Sequence, residues 1–231
     1  IVGAEKRVPI VDKTRSSNID FDWGDYSYAL GVNVKLDDSS AIFSHLSRGI
    51  RVGADRELFD GGIRNNGSID NDLLIDEINN IEIGARFQRR YLSLSATAFS
   101  SNTRISNVDI TKSPNAVVDS EYAAEGIEIE GAWNIDRLGF CGKISCAFDL
   151  NWSVTWMDAM VERDRLNPEN NGNDIQSQPE LTWKIRPTLQ FSMIDFGLIF
   201  VGQGDAAGDQ ENTFKTSGFT TTNVFFNWQV S

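Results

Sequence analysis

Histidine occurs once in the 231 residues, at His45, and cysteine only twice, at Cys141 and Cys146. A lone imidazole removes most histidine-based metal cages and general-base chemistry. GFCGKISC, around the two cysteines, lacks the nucleophile elbow, and the sequence holds neither a phosphate-binding loop nor a zinc-protease helix motif. No enzyme is expected on these grounds, and no cofactor or metal. Basic residues are scarce beside acidic ones, 21 against 33, and the formal charge of -12 repels nucleic-acid phosphates. A run of about 18 apolar residues is also missing, so no transmembrane helix is expected. That absence leaves a β-barrel open, because lipid-facing strands alternate and keep their mean hydropathy low. The opening IVGAEKRVPIVDK has no basic start, apolar core and small-residue cleavage site, so it does not read as a secretory signal.

What the sequence does have is alternation. From Tyr26 to Leu36 every second residue is large and apolar: Tyr26, Tyr28, Leu30, Val32, Val34 and Leu36. The residues between them are small or polar. The pattern returns in NIEIGARFQ, YLSLSATAF, EGIEIEGAW, AFDLNWSVTW, ELTWKIRP and TNVFFNWQV, with AIFSHLSRG and DFGLIFVGQ as weaker members. A period of two marks half-buried strands, about nine of them here. The best helical candidate, residues 70–79, is short and reads as loop or a single turn. The polar face carries charge: Glu82 with Arg86, Glu128 with Glu130, Lys184 with Arg186. A soluble sandwich places these in water; a lipid-embedded barrel places them in its lumen.

Connection lengths favour the barrel. The turns at 37–40, 88–91 and 192–195 are short, and 134–147 is moderate. The connections at 50–77, 104–121, 158–178 and 203–217 are long. Short and long alternate, which puts all short turns at one end of the strands and all long loops at the other, as in outer-membrane barrels. Tyr26 and Tyr28 sit at one end of a strand and Trp133 at the other end of its own, as aromatic girdles do. Cys141 and Cys146 bracket a turn at the short-turn end. They can meet disulfide geometry in an oxidising compartment, with two free thiols as the other reading.

Five stretches, in order, resemble a known family. YSYALGVNVKLDDSSAIFSHLSRGIRVGADRELF resembles its strand, turn and SRG-R strand. NIEIGARFQRRYLSLSATAFSS resembles its E-G-K strand, short turn and L-A-T-A-F strand. AEGIEIEGAW, NWSVTWMDAMV and SGFTTTNVFFNWQVS resemble later strands. The family is the TonB-dependent outer-membrane receptors. The resemblance implies an all-β, antiparallel, up-and-down transmembrane barrel. Residues 1–231 are expected to form a partial barrel domain, from the C-terminal half, without the plug domain and TonB-contacting segment. A small complete barrel of eight to ten strands is the alternative. The expected role is TonB-energised uptake of a small extracellular ligand, a ferric siderophore, carbohydrate or similar, in the outer membrane of a Gram-negative bacterium. Outer-membrane lipid, the plug domain and TonB are the partners this implies. The competing reading is a soluble or surface β-rich carbohydrate-binding module.

Ligand contacts are expected in the long loops and lumen. Arg51 and Arg56 are candidates for an anionic ligand, with Asp55 beside them, and Glu82 and Arg86 for the lumenal wall. Asn33, Lys35, Glu128, Glu130, Lys184 and Arg186 complete a hydrated, charged interior. The acidic stretches DFDWGDY and IDNDLLIDE offer oxygens to calcium but do not match calcium-loop spacing. Glu128 and Glu130 share a face as glycosidase acids might, though strand periodicity already explains them.

Overall fold

A computed structural model describes residues 2–11, 18–52, 75–109, 116–135, 146–165 and 167–228. For residues 2–11, 18–24, 52, 75, 107–109 and 116–118 only the backbone is described. Ten strands form one antiparallel sheet. These are β1 (Val2–Val11), β2 (Asn18–Lys35), β3 (Ser40–Val52), β4 (Ile75–Arg89), β5 (Leu92–Asp109), β6 (Ala116–Ile135), β7 (Cys146–Asp164), β8 (Leu181–Phe191), β9 (Ile194–Gln203) and β12 (Phe219–Trp228). A two-stranded hairpin, β10 (Ala206–Ala207) with β11 (Lys215–Thr216), lies in the connection between β9 and β12. Each sheet strand pairs with the next in the chain, so the order is an uninterrupted meander with β1 and β12 at its edges.

Register assigns each side chain to a face, because residues directly across an antiparallel pair point the same way. Leu30 faces Leu46, which faces Ile81. Ile127 faces Trp156, and Phe196 faces Phe226. This face is uncovered: Leu30 is 62% exposed, Ile83 64%, Ile129 41% and Phe226 60%. Trp152, on the same face, is half-buried, with its indole across Gly131. Among the described residues the buried apolar ones are Cys146, Ala159, Val161, Ala206 and Ala207, none of them large. No closed apolar core is built from the alternating residues. The bulky side chains point out of the sheet on the side away from the charged wall.

The outward apolar band has a defined height. On β7 it runs from Phe148 to Trp156, nine residues. At about 3.4 Å each and a tilt near 45°, that climbs about 22 Å, close to the apolar band of an outer-membrane barrel. The long strands continue past it. β5 and β6 stay paired up to Asp109 and Ala116, so most of the expected 104–121 loop is strand. The reason is visible on the outward face, where hydropathy stops alternating while hydrogen bonding continues. Above the band the outward residues are charged and paired with one another. Arg48 bridges Asp25 and Glu77, Arg104 lies 3.5 Å from Glu77, and Arg163 meets Glu121.

Three other expectations change. The 70–79 segment is strand from Ile75, where Asp76 pairs with Arg51 and Ile78 with Gly49 across β3; residues 70–74 lie outside the described residues. The 158–178 connection is shorter, since β7 runs to Asp164. Its return segment folds back against β7: the Val161 N–H donates to the Asn173 carbonyl and the Ile175 N–H to the Ala159 carbonyl. That caps the upper edge of β7, which β8 does not reach because its pairing starts at Trp156–Leu181. Finally, β1 adds a strand that the alternation does not show. The turns at the short end, Leu36–Ser39, Arg90–Tyr91 and Ser192–Met193, are as tight as expected.

Candidate functional site: the charged inner wall

The face opposite the apolar band carries the polar residues, and register places them in rungs. One rung crosses seven strands: Lys35, Ala41, Arg86, Ser95, Glu130, Ser153 and Lys184. Its charged members Lys35, Arg86, Glu130 and Lys184 stand two strands apart, about 10 Å at the usual strand spacing. Ala41 separates the first two, and a serine hydroxyl separates each of the others from the next. That spacing is too wide for direct ion pairs, and none forms among them. The rung above holds Thr97, Glu128, Thr155 and Thr182; the rung below holds Gln88, Ser93, Asn151 and Arg186. Most of these residues, from Arg86 to Lys184 and Arg186, line an open concavity of about 770 Å³. Its lining includes Glu82, Glu128 and Glu130 against Arg86, Lys184 and Arg186, so formal charge there balances.

Aromatic rings hold the cations upright. The guanidinium carbon of Arg86 sits 4.3 Å from the centre of the Phe43 ring, and that of Arg186 sits 4.9 Å from Phe225. Each ring needs a strand neighbour without a side chain. A Cβ on Gly84 would lie 2.4 Å from Phe43, and one on Gly197 would lie 2.3 Å from Phe225. Phe99 fills the gap at Gly126 in the same way. These phenylalanines were not among the residues read as functional. The signal that identifies them is a glycine directly across the sheet, and register is needed to see it.

The eight expected wall residues, from Asn33 and Lys35 to Lys184 and Arg186, fall on this one face. Of the candidate ligand residues, Glu82 and Arg86 line the concavity, and Glu82 accepts a 2.6 Å hydrogen bond from Asn80 Nδ2. Arg51 is elsewhere. It is level with Asp76, ten residues along β4 from Arg86, and its guanidinium pairs with the nearly buried Asp76 carboxylate. There it borders a second, smaller hollow of about 320 Å³ lined by Gly49, Ile78, Thr103 and Ile105. Asp55 and Arg56 lie outside the described residues. Cys146 is buried and disulfide-bonded; Cys141 lies outside the described residues. The acidic stretches offered to calcium are engaged with arginine where described, Asp25 by Arg48 and Asp76 by Arg51.

At the long-loop end two loops are tied together. The Asp174 N–H donates to Asn212 Oδ1 at 2.9 Å, and Asn212 Nδ2 donates to the Asp174 carbonyl at 3.0 Å. Asp209 accepts from the Thr213 hydroxyl and from its N–H. Those bonds, the hydroxyl's above all, hold the Asp209 carboxyl below the usual carboxylate range. At the short-turn end the Ser39 N–H does the same for Asp37.

An antiparallel meander that is apolar outside and charged inside, with tight turns at one end and long loops at the other, defines a partial outer-membrane-type β-barrel. The chain belongs to the TonB-dependent receptor-like β-barrel family, whose model matches residues 8–231. That family consists of outer-membrane receptors and transporters of Gram-negative bacteria. No curated protein matches the chain. Solved structures do. BauA, the ferric preacinetobactin receptor from Acinetobacter baumannii, is 16% identical with a TM-score of 0.68, the match covering 90% of this chain and 30% of that one. The ferric citrate transporter FecA is 14% identical with a TM-score of 0.70, covering 95% and 33%. The siderophore receptor PiuA from Acinetobacter baumannii is 16% identical with a TM-score of 0.66, covering 99% and 33%. At these identities the likeness is one of fold. The chain spans about a third of the length of these structures.

Proposed function

We propose that this chain forms part of the barrel of an outer-membrane receptor that takes up a small extracellular ligand, a ferric siderophore, carbohydrate or similar, with energy delivered through TonB. The observation that carries this reading is the inversion of the sheet. Its apolar face is exposed over a band of bilayer height, and its charged face lines a concavity. A soluble carbohydrate-binding module would leave that whole band in water, an apolar patch far larger than soluble monomers carry. The free charges of the wall suit a hydrated lumen and the docking of a plug domain. Arg51 borders the small hollow at the long-loop end and pairs with Asp76, so an anionic ligand there would compete with that carboxylate. A Cys141–Cys146 bridge would close the β6–β7 turn on the periplasmic side. The test is uptake by cells carrying the full-length receptor under iron limitation, with and without functional TonB. Accumulation of labelled ferric siderophore or sugar that requires both the receptor and TonB is expected. TonB-independent accumulation, or recovery of the protein in the soluble fraction, would overturn the reading.

A further inference from the structure

The tight turn between β4 and β5 carries two adjacent arginines, Arg89 and Arg90. Arg89 pairs with Leu92 and shares its outward face, next below Phe87. Leu92 in turn faces Trp133 on β6. The turn therefore lies where the outward apolar band ends on the short-turn side. Each guanidinium is set over a ring: the Arg89 carbon is 5.7 Å from the centre of Phe87, and the Arg90 carbon is 5.0 Å from that of Tyr91. Both arginines are exposed, and so is Tyr91.

The outward arginines at the opposite end behave differently. Arg48, Arg104, Arg163 and Arg165 each meet a carboxylate. Among the described residues, neither Arg89 nor Arg90 has a carboxylate within ion-pair distance. Asp37, in the neighbouring Leu36–Ser39 turn, accepts the Ser39 N–H and acts on Arg89 through space, without an ion pair to it. Two planar cations, neither in an ion pair with a described carboxylate, thus stand side by side at the edge of a lipid-facing surface. Guanidinium forks match phosphate oxygens two at a time. A lipid whose tails lie against Phe87, Leu92 and Trp133 brings its phosphate level with them.

We propose that the Arg89–Arg90 turn binds the headgroup of an anionic phospholipid in the leaflet on the short-turn, periplasmic side. The inference rests on the barrel reading and deepens it by naming a lipid site. Phosphate oxygens accept from the two guanidiniums, while Phe87 and Tyr91 hold those groups in the interfacial layer, where such aromatic belts sit. Two adjacent guanidinium charges outweigh the one nearby carboxylate, Asp37, and so select an anionic headgroup over a zwitterionic one.

The experiment is native mass spectrometry of the full-length protein, purified in neutral detergent and titrated with phosphatidylglycerol or phosphatidylcholine. Preferential retention of phosphatidylglycerol is expected, weakened about tenfold or more in R89Q/R90Q and less in R89K/R90K, which keeps the charge but loses the forks. Heat-modifiable migration of each variant checks that its barrel has assembled, and R90Q alone, at an exposed turn position, serves if the double variant does not assemble. Equal phosphatidylglycerol affinity in the wild type and an assembled glutamine variant would overturn the proposal. So would full displacement by millimolar inorganic phosphate, which would make this a general anion site. A protein that stays monodisperse without detergent would overturn the barrel reading as well, so the two failures are told apart.

Discussion

The Arg86 guanidinium stands over the Phe43 ring, and that ring occupies the space a side chain at Gly84 would need. The three residues form one unit on the inner wall: the missing Cβ admits the ring, and the ring carries the cation into the lumen. Gly84→Ala tests it. The new Cβ would lie 2.4 Å from Phe43 Cζ and 2.6 Å from the Ala96 carbonyl oxygen. The ring can rotate away; the backbone oxygen moves only with its strand. A loss of about 1–3 kcal/mol is expected, as for other overpacked sites, read from unfolding in detergent with urea. F43A/G84A should recover part of that loss, and full-strength G84A would show that the ring is not wedged there.

The exposed apolar band makes an opposite prediction for its two faces. Ile83 points outward near mid-band and Thr97 points inward on the next strand. Lysine at position 83 should cost about 2–4 kcal/mol in a bilayer, the penalty for a charge near its midplane. Lysine at position 97, in the hydrated wall beside Glu128, should cost about 0.5 kcal/mol or less. Refolding into lipid vesicles measures both. Equal penalties, or a larger one at 97, would mean that the faces are assigned the wrong way round.

Much of this fold was legible in the chain because two solvents wrote the same period. Where lipid meets one face and water the other, as along Tyr26–Leu36, alternation in hydropathy and alternation in geometry coincide. The weaker segments are explained by register. AIFSHLSRG puts Phe43 on the polar wall because Gly84 makes room for it, and DFGLIFVGQ turns Ile199 and Val201 inward. Legibility fails above the band. Arg104, Glu121 and Arg163 face outward there, so both faces are polar and paired strand looks like loop. Of the candidate site, Glu82 and Arg86 could be placed from parity alone. The distance between them and Arg51 could not, because it depends on how far β3 and β4 rise beyond the band.

That outward belt of ion pairs should contribute measurably, unlike most surface pairs. The Arg48 guanidinium donates to both Asp25 oxygens and to Glu77, and all three side chains are about four-fifths buried or more. Arg48→Ala would leave two carboxylates with Arg104 as their remaining neighbour. The expected cost is about 2 kcal/mol, below that of a fully buried pair because water reaches the rim. R48A/E77Q should cost less than R48A. A double-mutant cycle of thermal unfolding in detergent checks this, and additive effects would show that the two residues do not interact.

Acid should loosen the long-loop end locally. The Asp209 carboxylate accepts the Thr213 N–H at 2.7 Å together with the Thr213 hydroxyl. The same loop reaches the neighbouring one through the paired bonds of Asn212 and Asp174. Because the folded-state pKa of Asp209 is depressed, its contribution is complete above the unfolded-state value. It is lost as pH falls through the folded-state value, in the acid range below about 4. Hydrogen-exchange protection at Thr213, corrected for the intrinsic pH dependence of exchange, should fall over that window while protection in β9 holds. D209N should lower protection at neutral pH and remove its dependence on acid, since an amide neither titrates nor matches the charged acceptor. If Thr213 protection in D209N still followed pH as in the wild type, the titrating group would be another one.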